Sequence, residues 1–221
     1  TTVGDSNEVS TGAPWPAQAA DIKQAVRFLR THASDYQIQP AKIGVIGSSA
    51  GGHLSAITGL TGDEEALRGD AQAMLTQSDA VQAVVDMFGP TRPDLMDQHL
   101  DAMGFCSTAA CHTCSTSPEY ALLDCDGTGF ESCSVPMTQV SPLTYVDASD
   151  PPMIVAHGDQ DCSVPPQQSQ ILVNRLTLHG VEHEHIIVPG VGHNPTLVGE
   201  GIGTAKLQYF FDAHLRGCQR P

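Results

Sequence analysis

Apolar positions along the chain fall into two recurring patterns. Ile43 to Ile46, Val81 to Phe88, Met153 to His157 and His185 to Val188 are short, mostly β-branched runs, which predict strands covered on both faces. Between them the apolar residues recur at helical spacing. Ala17 to Thr31 carries Ile22, Val26 and Leu29, and the stretch after Ile46 carries Leu54, Ile57 and Leu60. Pro166 to His179 carries Ile171, Leu172 and Leu176, and Thr204 to Leu215 carries Leu207, Phe210, Phe211 and Leu215. Each set predicts an amphipathic helix with one stripe turned to a core. Helix alternating with strand predicts an α/β fold with a parallel sheet and right-handed crossovers. At 221 residues the chain is long enough to bury a substantial core, and one domain is expected over 1–221.

The first strand runs directly into Gly47-Ser48-Ser49-Ala50-Gly51, a Gly-x-Ser-x-Gly turn that opens a helix of small residues. Such a strand-to-helix turn places its central serine at the apex, hydroxyl outward, and Gly47 and Gly51 are expected to leave room for neighbouring chain. A serine hydroxyl is a poor nucleophile until a base takes its proton and a carboxylate orients that base. Candidates for both follow in order. The third run ends in His157-Gly158-Asp159-Gln160-Asp161, with two aspartates able to serve, and the fourth ends in Gly190-Val191-Gly192-His193. Ser49, an aspartate and His193 each fall just after the carboxyl end of a strand, where open α/β sheets place their chemistry. The remaining histidines have structural readings: His157 in the strand-end turn, His53 on the helix behind the elbow, and His183 and His185 in strand alternation.

The elbow through His53, the block Ser141-Pro142-Leu143-Thr144-Tyr145-Val146, His157 to Asp161 followed by Val164-Pro165, and Gly192-His193 together resemble the α/β-hydrolase family of feruloyl-esterase-like and carboxyl esterases. The resemblance covers most of residues 14 to 215. It implies an α/β-hydrolase fold and a serine esterase working through an acyl-enzyme on aryl, feruloyl or short-acyl esters, free or linked to polysaccharide. In the family pattern the second aspartate of His-Gly-x-x-Asp is the acid, which carries onto Asp161 and leaves Asp159 as a loop residue. No metal or organic cofactor is implied. The oxyanion would be held by the Ala50 N–H together with an N–H from an upstream His-Gly-Gly-Gly-type loop. Residues 1 to 40 contain no such loop and none of the strands that normally precede it. The expectation is therefore an N-terminally truncated piece of a longer precursor, or Thr1 to Ala13 folded over the site as a substitute donor. One lost donor costs about 10²- to 10³-fold in turnover. A serine peptidase of the same fold and a non-catalytic module are the alternative readings.

From about 91 to 140 the periodicity fails, and Cys106, Cys111, Cys114, Cys125 and Cys133 crowd together. A segment this long without a period predicts a cap insertion over Ser49, with Met96, Met103, Phe105 and Phe130 as wall residues. Seven cysteines imply an oxidising compartment, secreted or periplasmic, with two or three disulfides and at least one thiol left over. Cys111 and Cys114 have zinc-ligand spacing but no second matched pair, which favours a disulfide. Asp124 to Gly129 matches the first half of a calcium loop, yet the twelfth position is Val135 instead of a glutamate. Cys162, beside Asp161, either ties the acid loop to the cap or is simply buried.

A formal charge of −15 argues against nucleic acid and anionic membrane as partners. There is no apolar run long enough to span a bilayer and no signal-peptide pattern at Thr1. The first strand is expected to have an open edge, available to an amino-terminal segment or to a second copy.

Overall fold

A computed structural model describes residues 13–69, 76–106, 111–127 and 129–217. Thr1 to Gly12, Thr128 of the calcium-like loop and Cys218 lie outside the described residues.

Four parallel strands form the sheet: β1 (Gly44–Ser48), β2 (Ala83–Met87), β3 (Met153–Gly158) and β4 (His183–Val188), in that order. Gly47 of β1 stands opposite Asp86 of β2, and Asp86 opposite Val155 of β3. The two middle strands sort their side chains by the period of two that a strand imposes. Val84, Met153 and Val155 face one core, with Ala56 and Leu60 of α2 (Ala50–Leu60) and Leu172 and Leu176 of α6 (Gln167–His179). Ala83, Val85, Ile154 and Ala156 face another, with Val198 and Ile202 of α7 (Pro195–Ile202) and Phe210 of α8 (Thr204–Arg216). Each fully buried Val, Leu or Ile contributes roughly 1.5–3 kcal/mol, so covering both faces of β2 and β3 holds the strand ends in fixed positions. Among the described residues β1 pairs on one side only, and Ile46 is 47% exposed.

Helix α1 (Ala17–Thr31) has the expected bounds but a different buried face. Val26 is buried as its spacing predicts, whereas Ile22 and Leu29 are only half-buried, and Lys23 and Arg27 are wholly enclosed. Their long apolar stems pack inward and their charged heads meet Asp79, Lys23 Nζ at 2.7 Å and Arg27 Nη1 at 2.8 Å. Lys23 also donates to the Thr61 carbonyl and Arg27 to that of Arg68. Hydrophobic spacing does not reveal this face because its partner lies more than fifty positions away.

The segment from 91 to 140 is not structureless. It contains α3 (Met96–Met103), α4 (Pro118–Leu123) and α5 (Met137–Val140). Disulfides link Cys111 to Cys114 and Cys125 to Cys133, and Cys106 is bonded to Cys162. The expected apolar wall needs correcting. Met96 is fully buried, and Phe130 packs against a third core cluster with Trp15, Ile57 and Leu123; only Phe105, half exposed, stands clearly open to solvent. Among the described residues no helix is long and apolar enough to cross a membrane, and no cluster of metal-ligating side chains occurs.

Candidate active site

Ser49 sits between the last residue of β1 and the first of α2, with φ 56° and ψ −125°. A serine rarely adopts positive φ, and such backbone persists only where the surroundings enforce it. They do so here through close approach. The Ser49 N–H donates to Met87 O at 2.9 Å, tying the elbow to β2. A Cβ on Gly47 would overlap the Gly51 carbonyl, and one on Gly52 would overlap Asp86 Oδ1 and lie 2.8 Å from Met87 O. A Cβ on Gly51 would meet nothing within 4 Å. Gly47 is thus required as expected, but the second tight position is Gly52 rather than Gly51.

His193 lies in the loop between β4 and α7, and Asp161 in the loop after β3. The structure brings both to Ser49. The Ser49 hydroxyl donates to His193 Nε2 at 2.9 Å, and His193 Nδ1–H donates to Asp161 Oδ2 at 2.7 Å. A carboxylate can only accept, which fixes the tautomer: Nδ1 carries the proton and Nε2 is left basic toward Ser49. Of the two aspartates after β3, Asp161 alone touches the imidazole; Asp159 Oδ1 instead accepts the Gly190 N–H at 2.7 Å and secures the loop that carries His193. Gly158 lets that loop pass, since a Cβ there would overlap the Val191 carbonyl.

Asp161 is completely buried, while the His193 side chain is 28% exposed. Burial by itself pushes the Asp161 pKa up, but the contacts from His157 and His193 and the N–H groups of Val164 and Ser163 outweigh it, holding the carboxyl well below the usual range. Oδ1 receives Ser163 N–H at 2.8 Å and Val164 N–H at 2.9 Å, leaving Oδ2 for imidazole.

Two neighbours, Phe88 and Asp86, carry no signal in the sequence. Phe88, buried and with φ 47°, presents its ring edgewise to His193, the centroids 4.7 Å apart. Asp86, fully enclosed behind the elbow, accepts the Gly89 N–H at 2.9 Å through Oδ1, and its Oδ2 has no partner among the described residues. Burial pushes its pKa up to about 6 against the lowering effects of Gly89 and His157. His53 is buried behind the elbow with Nε2 2.7 Å from Val140 O, a structural bond between α2 and α5. Ala50 opens α2, and the first N–H groups of a helix have no partner within it, so this end of the helix offers donors beside Ser49.

The family model BD-FAE matches residues 6–176. Esterase LipC of Mycobacterium tuberculosis is 29% identical over 191 residues, covering 81% of this chain and 41% of that protein. Esterase LipQ of the same organism is 31% identical, covering 71% of this chain and 33% of that protein. The chain thus spans about two fifths or less of the length of these curated relatives. Among solved structures, a truncated form of a carbohydrate esterase from gut microbiota superposes with a TM-score of 0.75 at 32% identity, covering 92% of this chain and 69% of that one. A bifunctional GH43-CE protein of Bacteroides eggerthii superposes equally well at 31% identity, covering 94% of this chain and 26% of that one. With the parallel sheet, the elbow and these matches in agreement, the chain belongs to the BD-FAE family of α/β-hydrolases.

Proposed function

We propose that this chain is a serine-dependent carboxylic ester hydrolase, with Ser49 as nucleophile, His193 as general base and then acid, and Asp161 as the group that orients and stabilises the imidazole. The observation that carries the reading is the continuous hydrogen-bonded path from the Ser49 hydroxyl through His193 to Asp161, at 2.9 and 2.7 Å. As Ser49 Oγ attacks the ester carbonyl carbon, its proton passes to His193 Nε2. The resulting imidazolium is stabilised by the Asp161 carboxylate. The Ala50 N–H faces the developing oxyanion at the positive end of α2. Collapse of the tetrahedral adduct breaks the carbon–oxygen bond, and His193 returns the proton to the leaving alkoxide. Water, deprotonated by the same imidazole, then releases the acid and restores Ser49.

The relatives' names support a substrate class. Two are named esterases and one neighbour a carbohydrate esterase, which supports esters of small acyl or aryl acids, either free or carried on a polysaccharide. The 91–140 segment acts as a cap that selects among them, and its disulfides, with that of Cys162, favour an oxidising, extracytoplasmic location.

The test is a fluorophosphonate probe followed by peptide mapping, alongside turnover of a chromogenic aryl acetate. The expected result is a single adduct on Ser49 and acetate release that vanishes in Ser49→Ala. Folded protein that neither reacts with the probe nor turns over the ester would overturn the reading.

A further inference from the structure

Asp161 is approached by a second imidazole. His157 lies on β3 with no exposed surface, and its Nε2 stands 2.7 Å from the Val164 carbonyl and 3.5 Å from Asp161 Oδ2. Its Nδ1 is 2.6 Å from Ser169 Oγ on α6. A backbone carbonyl and a carboxylate both only accept, so Nε2 carries the proton. In the neutral ring Nδ1 then accepts from the Ser169 hydroxyl, which selects that tautomer. Val164 is therefore held from two sides: its N–H on Asp161 Oδ1 and its carbonyl on His157.

We propose that His157 is a positioning residue that, with Ser169, clamps the 161–164 turn and fixes the rotation of the Asp161 carboxylate, so that Oδ2 is presented to His193. This rests on the esterase reading above. The arrangement places five side chains in one path, Ser169, His157, Asp161, His193 and Ser49, running from the buried start of α6 to the surface of the site. Phe88 has ring contacts with both imidazoles, its centroid 6.0 Å from that of His157 and 4.7 Å from that of His193. Other ionisable groups acting on His157 are Asp86 from β2 and His185 from β4. Sequence placed His157 in a strand-end turn; its contact with Asp161 depends on the loop folding back over β3.

The test compares His157→Leu, which removes the donor, with His157→Gln, whose amide can supply an N–H near the Nε2 position. Three readouts are taken: kcat and KM for aryl acetate, the rate of fluorophosphonate labelling, and the downfield proton resonance of the His193 Nδ1–H bond to Asp161. A carboxylate displaced by a fraction of an ångström is expected to lower kcat by about 10- to 100-fold, with KM within about twofold. The downfield resonance broadens or disappears. His157→Gln recovers most of the rate and the resonance, which a loss of packing alone would not allow. If His157→Leu does not fold, Ser169→Ala carries the test, since an unanchored imidazole loses its tautomer preference, which lowers kcat and broadens the same resonance. A variant lacking the His157 N–H, or the Ser169 hydroxyl, with wild-type kcat and resonance would overturn the proposal. Wild-type protein that shows the resonance but never reacts with the probe would overturn the esterase reading while leaving the positioning role measurable by the resonance alone.

Discussion

Cys162, the residue after Asp161, is bonded to Cys106, 56 positions earlier in the chain. The loop bearing the carboxylate that His193 contacts is thereby tied to the Cys-rich segment that follows α3. Closing a loop of this length removes about 4 kcal/mol of chain entropy from the unfolded state. The paired change Cys106→Ser and Cys162→Ser is expected to lower Tm by roughly 10 °C. It is also expected to reduce aryl acetate turnover at 25 °C, well below that melt, because the 161–164 turn loses an anchor. Thermal denaturation and steady-state kinetics on the same preparation decide the matter. Unchanged turnover would mean that the disulfide serves stability only.

Gly51 and Gly52 are adjacent on α2 but differ in what surrounds them. Gly51→Ala places its methyl where nothing lies within 4 Å, and alanine is favoured over glycine in a helix by about 1 kcal/mol. A neutral to stabilising effect is expected. Gly52→Ala drives a methyl into Asp86 Oδ1 on β2 and to within 3.0 Å of Gly89 Cα in the turn that follows it. A loss of about 3 kcal/mol is expected, together with slower labelling of Ser49 as the elbow is pushed off β2. Urea unfolding of the two variants in parallel checks the order, and equal stabilities would contradict the account of the elbow.

Asp86 gives a pH dependence whose sign follows from its enclosure. Its folded pKa of about 6 lies above the value of about 3.9 expected in the unfolded chain. Between those values the folded protein holds a proton that the unfolded chain has released. This group's contribution to stability therefore falls as pH rises through the window and is fully lost above about pH 6, a difference of about 3 kcal/mol. Asp86→Asn keeps an oxygen for the Gly89 N–H and does not titrate. The Tm of the variant relative to wild type is expected to rise between pH 4 and pH 8. A difference that stays flat across that range would show that Asp86 is ionised in the folded protein.

Much of the site's neighbourhood is readable without coordinates because its signals are local. The elbow is five consecutive residues, and the loops carrying Asp161 and His193 each follow a short apolar run whose burial on two faces is written in its own composition. Helix bounds such as Ala17–Thr31 follow from spacing in the same way. What fails is any inference about which side chain meets which. The stripe on α1 hides Lys23 and Arg27, whose enclosure depends on Asp79. Gly51 and Gly52 look alike until β2 is placed against the elbow. Phe130 reads as a wall residue until its cluster with Trp15 and Leu123 is seen.

Sequence alone determined the α/β class, the four strands with helices α1, α2, α6 and α8, and the turn that carries Ser49, since hydrophobic period and glycine position act over a few residues. Tertiary structure alone decided that His157 stands behind the Asp161 carboxylate and that Cys162 pairs with Cys106, whereas the choice of Asp161 over Asp159, already implied by the family pattern, is matched by the contact with His193. Those choices rest on distances of a few ångströms between residues far apart in the chain, and hydrogen bonds and disulfides form only where packing of the whole sheet and its loops brings such groups together.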